Sequence, residues 1–267
     1  MLKRLPAAAL ILALLVPFRA AAIDTSADYT DIWYVPSESG WGVNLVQSEN
    51  FIFATFFVYG PGNVPTWYTA QMLSDSNGNF AGNLYSFVGT YFGSPWKSGN
   101  LVRTLAGTAS FAPSSAYQGT LTYTLSPSGP TVTKPIQRQS LTAIVIGGNY
   151  VGGQSGTYSG NGCGLQGSYS DTFNVTVTQP SDGSPATFAF TYTSGISCTW
   201  SGTLVQQGGL YSMPNASYQC SEGTNSTASM DEIKATAHGI EAIFSAPSGA
   251  QGSSSCSEAA SFSGALL

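Results

Sequence analysis

Charge is what this chain has least of. Charged residues make up 8% of it, against roughly a quarter in ordinary soluble domains. Histidine occurs once, at His238. Any Ser–His–Asp or Cys–His pairing would have to pass through that residue, which sits in KATAHGIEA, a strand–turn–strand corner by its pattern. There is no G-x-S-x-G to place a nucleophile. There is no P-loop either, and the glycine clusters GPG and GGQSG read as turn glycines. Of eight basic residues, Lys3, Arg4 and Arg19 precede residue 23, whereas every acidic residue follows it. With no basic stretch to pair with phosphates, nucleic-acid binding is excluded. Cysteine is absent before Cys163, and no C-x-x-C occurs. The long spacings argue against a zinc site, so neither metal nor cofactor is expected. After the N-terminal residues no apolar run is long enough for a transmembrane helix.

The N-terminus, MLKRLPAAALILALLVPFRAAAID, combines a basic start, an apolar run from Ala7 to Phe18 and an A-x-A site. It reads as a secretory signal peptide over residues 1–22. Beyond it the chain is rich in Thr, Ser, Gly, Tyr, Phe and Val, in short alternating runs broken by Gly/Pro/Asn/Ser clusters. That is an all-β pattern. Strands are expected near 31–35, 40–48, 52–59, 66–73, 80–86, 107–111, 119–126 and 132–141. A second set is expected near 156–159, 173–179, 186–192, 198–206, 210–219, 231–237, 239–245 and 259–264. Each set of eight, joined by short links, suits an antiparallel up-and-down barrel with no free edge. The expectation is two successive barrels, residues 23–145 and 146–267, with a junction in AIVIGGNYVGGQS (143–155).

Two blocks recur in order. ATFFVYGPGNVPTWY from Ala54 matches ATFAFTYTSGISCTW from Ala186, and GNLYSFVGTYF from Gly82 matches GGLYSMPNASY from Gly208. An internal repeat is the expectation. Four cysteines in an exported chain read as two disulfides. Cys198 and Cys220 lie on consecutive strands around a turn near Gln207-Gly208-Gly209. Cys163 follows the first strand of the second half and Cys256 precedes its last. First and last strands are neighbours in a closed barrel, so the expected pairs are Cys198–Cys220 and Cys163–Cys256.

The blocks DIWYVPSESGWGVNLVQ (Asp31–Gln47), FATFFVYGPGNVPTWY (Phe53–Tyr68), GNLYSFVGTYF (Gly82–Phe92) and TKPIQRQSL (Thr133–Leu141) resemble a recurrent exported bacterial β-barrel domain of unknown function. The resemblance covers the first half only and implies no activity. The second half lacks the SGWG block and the RQ strand and carries all the cysteines. In architecture alone the chain is similar to small barrels of the streptavidin and lipocalin type, and fold does not fix function.

Candidate ligand-binding or barrel-mouth residues are Trp41, Trp67, Tyr68, Tyr85, Glu38 and Arg138. Glu38 lies in a charge-poor aromatic block, and Arg138 and Lys134 lie on the strand that closes the same barrel. A Glu38–Arg138 pair at one rim is the reading, either as a latch or as a polar anchor at the mouth. Trp67 and Tyr68 should point to opposite faces. The strand Ile52–Tyr59 is apolar on both faces, so its outer face should be covered by the second half or by a partner. The interior is either a packed core or room for one small apolar or aromatic ligand. Asp231 and Glu232 should alternate across a strand and not share a cleft. No catalytic residue is assigned. The expected protein is an exported (periplasmic or extracellular), non-enzymatic binding protein for a small ligand, a glycan or a macromolecular partner. An outer-membrane β-barrel and a secreted hydrolase using Glu38 or Asp231 are the alternatives.

Overall fold

A computed structural model describes residues 27–125, 129–164, 166–247 and 256–267. The expected signal peptide lies outside the described residues. The chain forms two closed, eight-stranded antiparallel barrels. Barrel one is an uninterrupted meander: β1 (Asp31–Tyr34), β2 (Gly42–Ser48), β3 (Phe51–Tyr59), β4 (Pro65–Ser74), β5 (Phe80–Val88), β6 (Val102–Pro113), β7 (Gln118–Leu125) and β8 (Thr131–Arg138). It closes where β1 pairs with β8, Trp33 opposite Arg138.

Barrel two contains β9 (Gly148–Ser159), β10 (Gly167–Thr178), β11 (Ala186–Tyr192), β12 (Ser197–Gly202), β13 (Val205–Gln207), β14 (Leu210–Cys220), β15 (Asn225–Ala235), β16 (Gly239–Pro247) and β17 (Ser257–Leu266). β13 is a short excursion hairpinned onto β14. The barrel itself is completed by β12 pairing with β14 and β17 pairing with β9. The single strand expected over 198–206 is thus two pieces, because the chain leaves the barrel wall between Gly202 and Leu210. Much of the expected junction is also strand, since β9 begins at Gly148. Its glycines hid it. A Cβ at Gly156 would lie 2.5 Å from the Ala260 Cβ of β17, so close strand packing requires a residue that carries no alternating pattern.

Both interiors are filled. In barrel one Trp33, Val43, Leu45, Ile52, Met72, Phe111 and Leu121 have no accessible surface, and Trp33 meets Phe111 edge-on at 5.1 Å. In barrel two Phe173, Phe190 and Phe262 meet edge-to-face at 5.0–5.7 Å, with Phe188 and Trp200 buried beside them. Each such side chain contributes about 1.5–3 kcal/mol by leaving water. A side chain with no surface touched by a water-sized sphere borders no void that a ligand would occupy. The interiors are therefore packed cores, one of the two states the alternating pattern allows.

Both disulfides form as expected. Cys198 and Cys220 face each other across β12 and β14, and Cys163–Cys256 joins the chain after β9 to the start of β17. Both lie at the end of barrel two remote from barrel one. The repeated blocks fall on corresponding strands, the third and fifth of each barrel wall. Ala54 and Phe56 point inward as do Ala186 and Phe188. In the second block the phase inverts: Leu84 is in the barrel-one core, but its counterpart Leu210 packs between the barrels and Tyr211 turns inward.

The barrels meet through the proximal end of barrel one. Ala27, Ala116, Tyr117 and Leu210 form a small apolar cluster there. The Tyr117 hydroxyl donates to the Asp231 carboxylate and accepts from the Glu232 N–H at 2.9 Å. A bulge between Asp231 and Lys234 breaks the simple alternation expected of Asp231 and Glu232, and Glu232 takes a positive φ of 50°. Gly209 donates its N–H to Asp31 Oδ2 at 2.8 Å. Gly208 has φ +62°, and a Cβ there would sit 2.2 Å from Asp31 Oδ2. Only glycine permits both that backbone and that approach.

Candidate functional site

In a meander, alternate connections share an end. The β1–β2, β3–β4 and β5–β6 connections therefore lie at the distal end of barrel one, away from barrel two, and five of the six expected site residues, all but Arg138, gather around that end and its flank. Trp41 and Tyr68 are half-buried and pack inward on the core, as do Val58 and Tyr123. Glu38 sits at the rim. Its Oε2 accepts from Trp41 Nε1 at 3.0 Å and from Lys134 Nζ at 2.5 Å. The Lys134 ammonium also stands 5.2 Å from the centre of the Trp41 ring. The ammonium hydrogen bond, helped by the indole, holds the Glu38 carboxyl below its usual value.

The expected Glu38–Arg138 pair does not form. Lys134 and Arg138 occupy the same inward row of β8 but lie about 13 Å apart along it, four residues at the rise of an extended strand. Lys134 caps the distal mouth and Arg138 the proximal one. Arg138 is buried over the Trp33 ring at 5.1 Å. Its guanidinium donates to Ala116 O at 2.6 Å, to Thr30 O at 3.0 Å, to the Asp28 carbonyl and to Asp31 Oδ2 at 3.1 Å. It closes the mouth that faces barrel two, not the rim where Glu38 lies.

Trp67 and Tyr68 do point to opposite faces. Trp67 lies outside and stacks on Phe87 at 5.4 Å, their planes 5° apart. Tyr85 lies outside beside them under the Arg103 guanidinium, 4.9 Å from the ring centre. The outer face of β3 is not covered by the second half: Phe57 is 58% and Trp67 47% exposed, and Tyr59 is exposed with them. Isolated exposed apolar residues are ordinary, whereas a contiguous patch marks an interaction surface.

That patch continues into a segment the sequence reading passed over, the β5–β6 connection GTYFGSPWKSGNL (Gly89–Leu101). Thr90 clasps its base: its hydroxyl accepts from the Lys97 N–H and donates to the Lys97 carbonyl, both at 3.0 Å, and accepts from Asn100 Nδ2 at 3.2 Å. The tip between is held by the Ser94 N–H on Tyr91 O at 2.9 Å. It presents Tyr91, Phe92 and Trp96 outward, Phe92 with its whole surface exposed. The available signal was three aromatics inside a Gly/Ser/Pro stretch, where turn residues alone are expected.

Charge is segregated. Among the described residues the distal end carries Lys97, Arg103 and Lys134 against Glu38, three cations to one carboxylate, while the whole chain has a formal net charge of −5. Lys97 and Arg103 form no ion pair among the described residues, whereas Lys134, Arg138 and Lys234 all do.

Barrel two holds a different polar cluster at its remote end. Glu258 is buried and accepts from the Tyr169 hydroxyl. Gln154 donates to the Tyr169 oxygen at 3.4 Å and accepts from the Tyr192 hydroxyl at 3.0 Å. Tyr158 stacks on Tyr169 at 4.6 Å. Burial, reinforced by the nearby Glu222 charge, raises the Glu258 carboxyl above its ordinary value. Burial and the Glu258 charge push the Tyr158 hydroxyl up to about 12. No buried side-chain polar atom among the described residues lacks a partner, so the cluster fills its space as a satisfied core network.

A groove of about 790 Å³ lies between Ala27–Asp28 and the outer wall of barrel two. Small residues such as Ser155, Ser170, Ser261 and Ser263 line much of it, and its cation, Lys234, is bound to Asp28 at 3.0 Å and faces Glu241 at 3.8 Å. His238 is exposed in the β15–β16 turn, its N–H donating to Thr236 Oγ1 at 3.2 Å. The fold and site define a two-barrel β protein whose most exposed aromatic and cationic groups share one end. No protein-family model, curated protein or solved structure matches the chain.

Proposed function

We propose that this is an exported, non-enzymatic binding protein whose working surface is the distal end and β3–β6 flank of barrel one. One observation carries the reading. The exposed rings of Phe57, Tyr59 and Trp67, together with the half-buried Tyr85 and Phe87, form an aromatic flank that leads to the exposed Tyr91–Trp96 tip, and the cost of leaving it in water is offset when a partner covers it. The packed interiors speak against a ligand inside either barrel. Two disulfides suit an oxidising compartment, and no helix among the described residues is long and apolar enough to cross a membrane.

The alternatives fit less well. A lipid-spanning barrel is apolar outside all round and polar within. Here the outer faces of β7 and β8 carry a threonine ladder, Thr122–Thr133 at 3.2 Å and Thr124–Thr131 at 2.9 Å, around an apolar core. A hydrolase would need a free carboxylate pair. Glu38 is engaged by Lys134 and Trp41, and Asp231 by Tyr117.

Hydroxyl-radical footprinting tests the reading, comparing purified protein with protein in its native extracellular or envelope fraction. Protection of Trp67, Tyr91 and Trp96 is expected, with the buried Trp33 and Trp200 unchanged. Equal labelling of the three exposed rings in both samples overturns it.

A further inference from the structure

The distal end combines three features that no other part of the described residues has together. The first is a convex tip. The Thr90–Lys97 clasp sets Tyr91–Trp96 out from the barrel, and Phe92, Tyr91 and Trp96 stand in solvent with Val88 and Val102 at its base. Side chains projecting singly from a hairpin enclose no pocket for a rigid ligand. They suit insertion into a soft medium.

The second is composition. Trp and Tyr concentrate where a bilayer meets water, because the ring is apolar and its N–H or O–H stays hydrated. Tyr91 and Trp96 flank the Phe92 apex in the tip, and the exposed Trp67 and Tyr59 lie on the barrel wall below. The third is charge. Lys97 and Arg103 flank the tip without carboxylate partners among the described residues. Across those residues the distal end carries +2 (Lys97, Arg103 and Lys134 against Glu38). The remainder carries Arg138 and Lys234 against eleven carboxylates, or −9. An acidic molecule with a cationic aromatic pole orients that pole toward an anionic surface.

We infer that the partner of this end is the surface of an anionic lipid bilayer. Phe92 and Trp96 enter the acyl boundary, to the ~5–10 Å depth at which interfacial segments lie. Lys97 and Arg103 meet the headgroup phosphates, and the Trp67–Phe87 flank lies at headgroup level. A protein partner would call for a complementary groove or a flatter patch. A glycan would call for amide and carboxylate side chains arrayed between the rings, and the residues between Phe92 and Trp96 are Gly93, Ser94 and Pro95. The inference rests on the proposed binding role of this end and names its partner.

The test is co-sedimentation of the full secreted chain with vesicles of phosphatidylcholine alone and of an equal mixture with phosphatidylglycerol, at low and high salt. Binding is expected to the mixed vesicles, to fall with salt, and to be weak on phosphatidylcholine alone. Each basic side chain near an anionic surface contributes roughly fivefold in affinity, so Lys97→Gln with Arg103→Gln weakens binding about 25-fold. The pair Phe92→Ser and Trp96→Ser abolishes it. All four residues are exposed, so the thermal transitions should match the parent, and Lys234→Gln on barrel two should leave binding intact. Absence of binding, equal binding to both vesicles, or indifference to Lys97 and Arg103 overturns the lipid assignment. If vesicles fail while native-fraction footprinting still protects Tyr91 and Trp96, the binding role stands with a protein or glycan partner. If both fail, both readings fall.

Discussion

Replacing Arg138 by methionine separates its buried role from the rim role the sequence suggested. The change keeps an unbranched aliphatic stem over Trp33 and removes only the guanidinium. Three carbonyls, of Ala116, Thr30 and Asp28, and one carboxylate, Asp31, then lose a donor. The Arg138 and Asp31 side chains are 2% and 16% exposed, so little water replaces what is lost. Removing one partner of a buried pair costs about 3–5 kcal/mol, and hydrogen bonds to charged groups are worth about 1.5–3 kcal/mol each. The four do not add. Asp31 keeps the Ile32 and Gly209 N–H groups at 2.8 Å, which holds the expected loss near 3–4 kcal/mol. Urea unfolding followed by tryptophan fluorescence reads it for barrel one. Because the same groups contact Gly208–Gly209, the two barrels' transitions should also separate. Arg138→Lys should rescue little, since one ammonium does not span acceptors on both sides of the fork. A loss under ~1 kcal/mol, or full rescue by lysine, would refute the clamp.

Three further outcomes follow from named contacts. Glu258, whose carboxyl burial raises above 4.5, contributes stability that is fully present below that value and lost as pH climbs through the folded one, where a buried group must charge. Glu258→Gln should therefore have the higher melting temperature at pH 8, the gap closing below pH 4.5; a parent that gains on the variant as pH rises contradicts this. Opening the disulfides by Cys→Ala pairs should cost about 3.4 kcal/mol at Cys198–Cys220 and about 4.7 at Cys163–Cys256 by loop-closure entropy, given separations of 22 and 93 residues; calorimetry showing the reverse order would count against the entropic account. Glu38→Gln should leave unfolding nearly unchanged while altering Trp41 emission, because the pair is exposed and its charge is screened; a loss matching that of Arg138→Met would restore the rim pairing.

Much of the wall was legible residue by residue. Ile52, Ala54 and Phe56 alternate with Phe53, Thr55 and Phe57, so period two separated the two faces of β3, but with both apolar only the closed wall decided which row turns inward. Cys198 and Cys220 bracket one hairpin, and Cys163 and Cys256 bracket one closure, so topology alone paired them. Only the 156–159 end of β9 was read as strand, because Gly152 and Gly153 carry no pattern. Arg138 was misassigned because strand position places a residue on a wall without saying which mouth it reaches. Glu258 went unnoticed because Tyr158, Tyr169 and Tyr192, from three different strands, converge on it only once the barrel closes.

By itself the sequence determined what local rules decide: strands from alternation, turns from Gly, Pro and Asn, two barrels from strand number, and the cysteine pairs from their order on those strands. Tertiary structure decided what depends on curvature and closure. It packed both interiors shut and sent Lys134 and Arg138 of one row to opposite ends. It left the outer face of β3 bare and gathered Trp67, Phe87, Tyr91 and Trp96 at the end that holds Lys97 and Arg103, two cations with no ion pair among the described residues. Those placements arise from the register around a closed wall, where residues far apart in the chain become neighbours, and no local pattern encodes that distance.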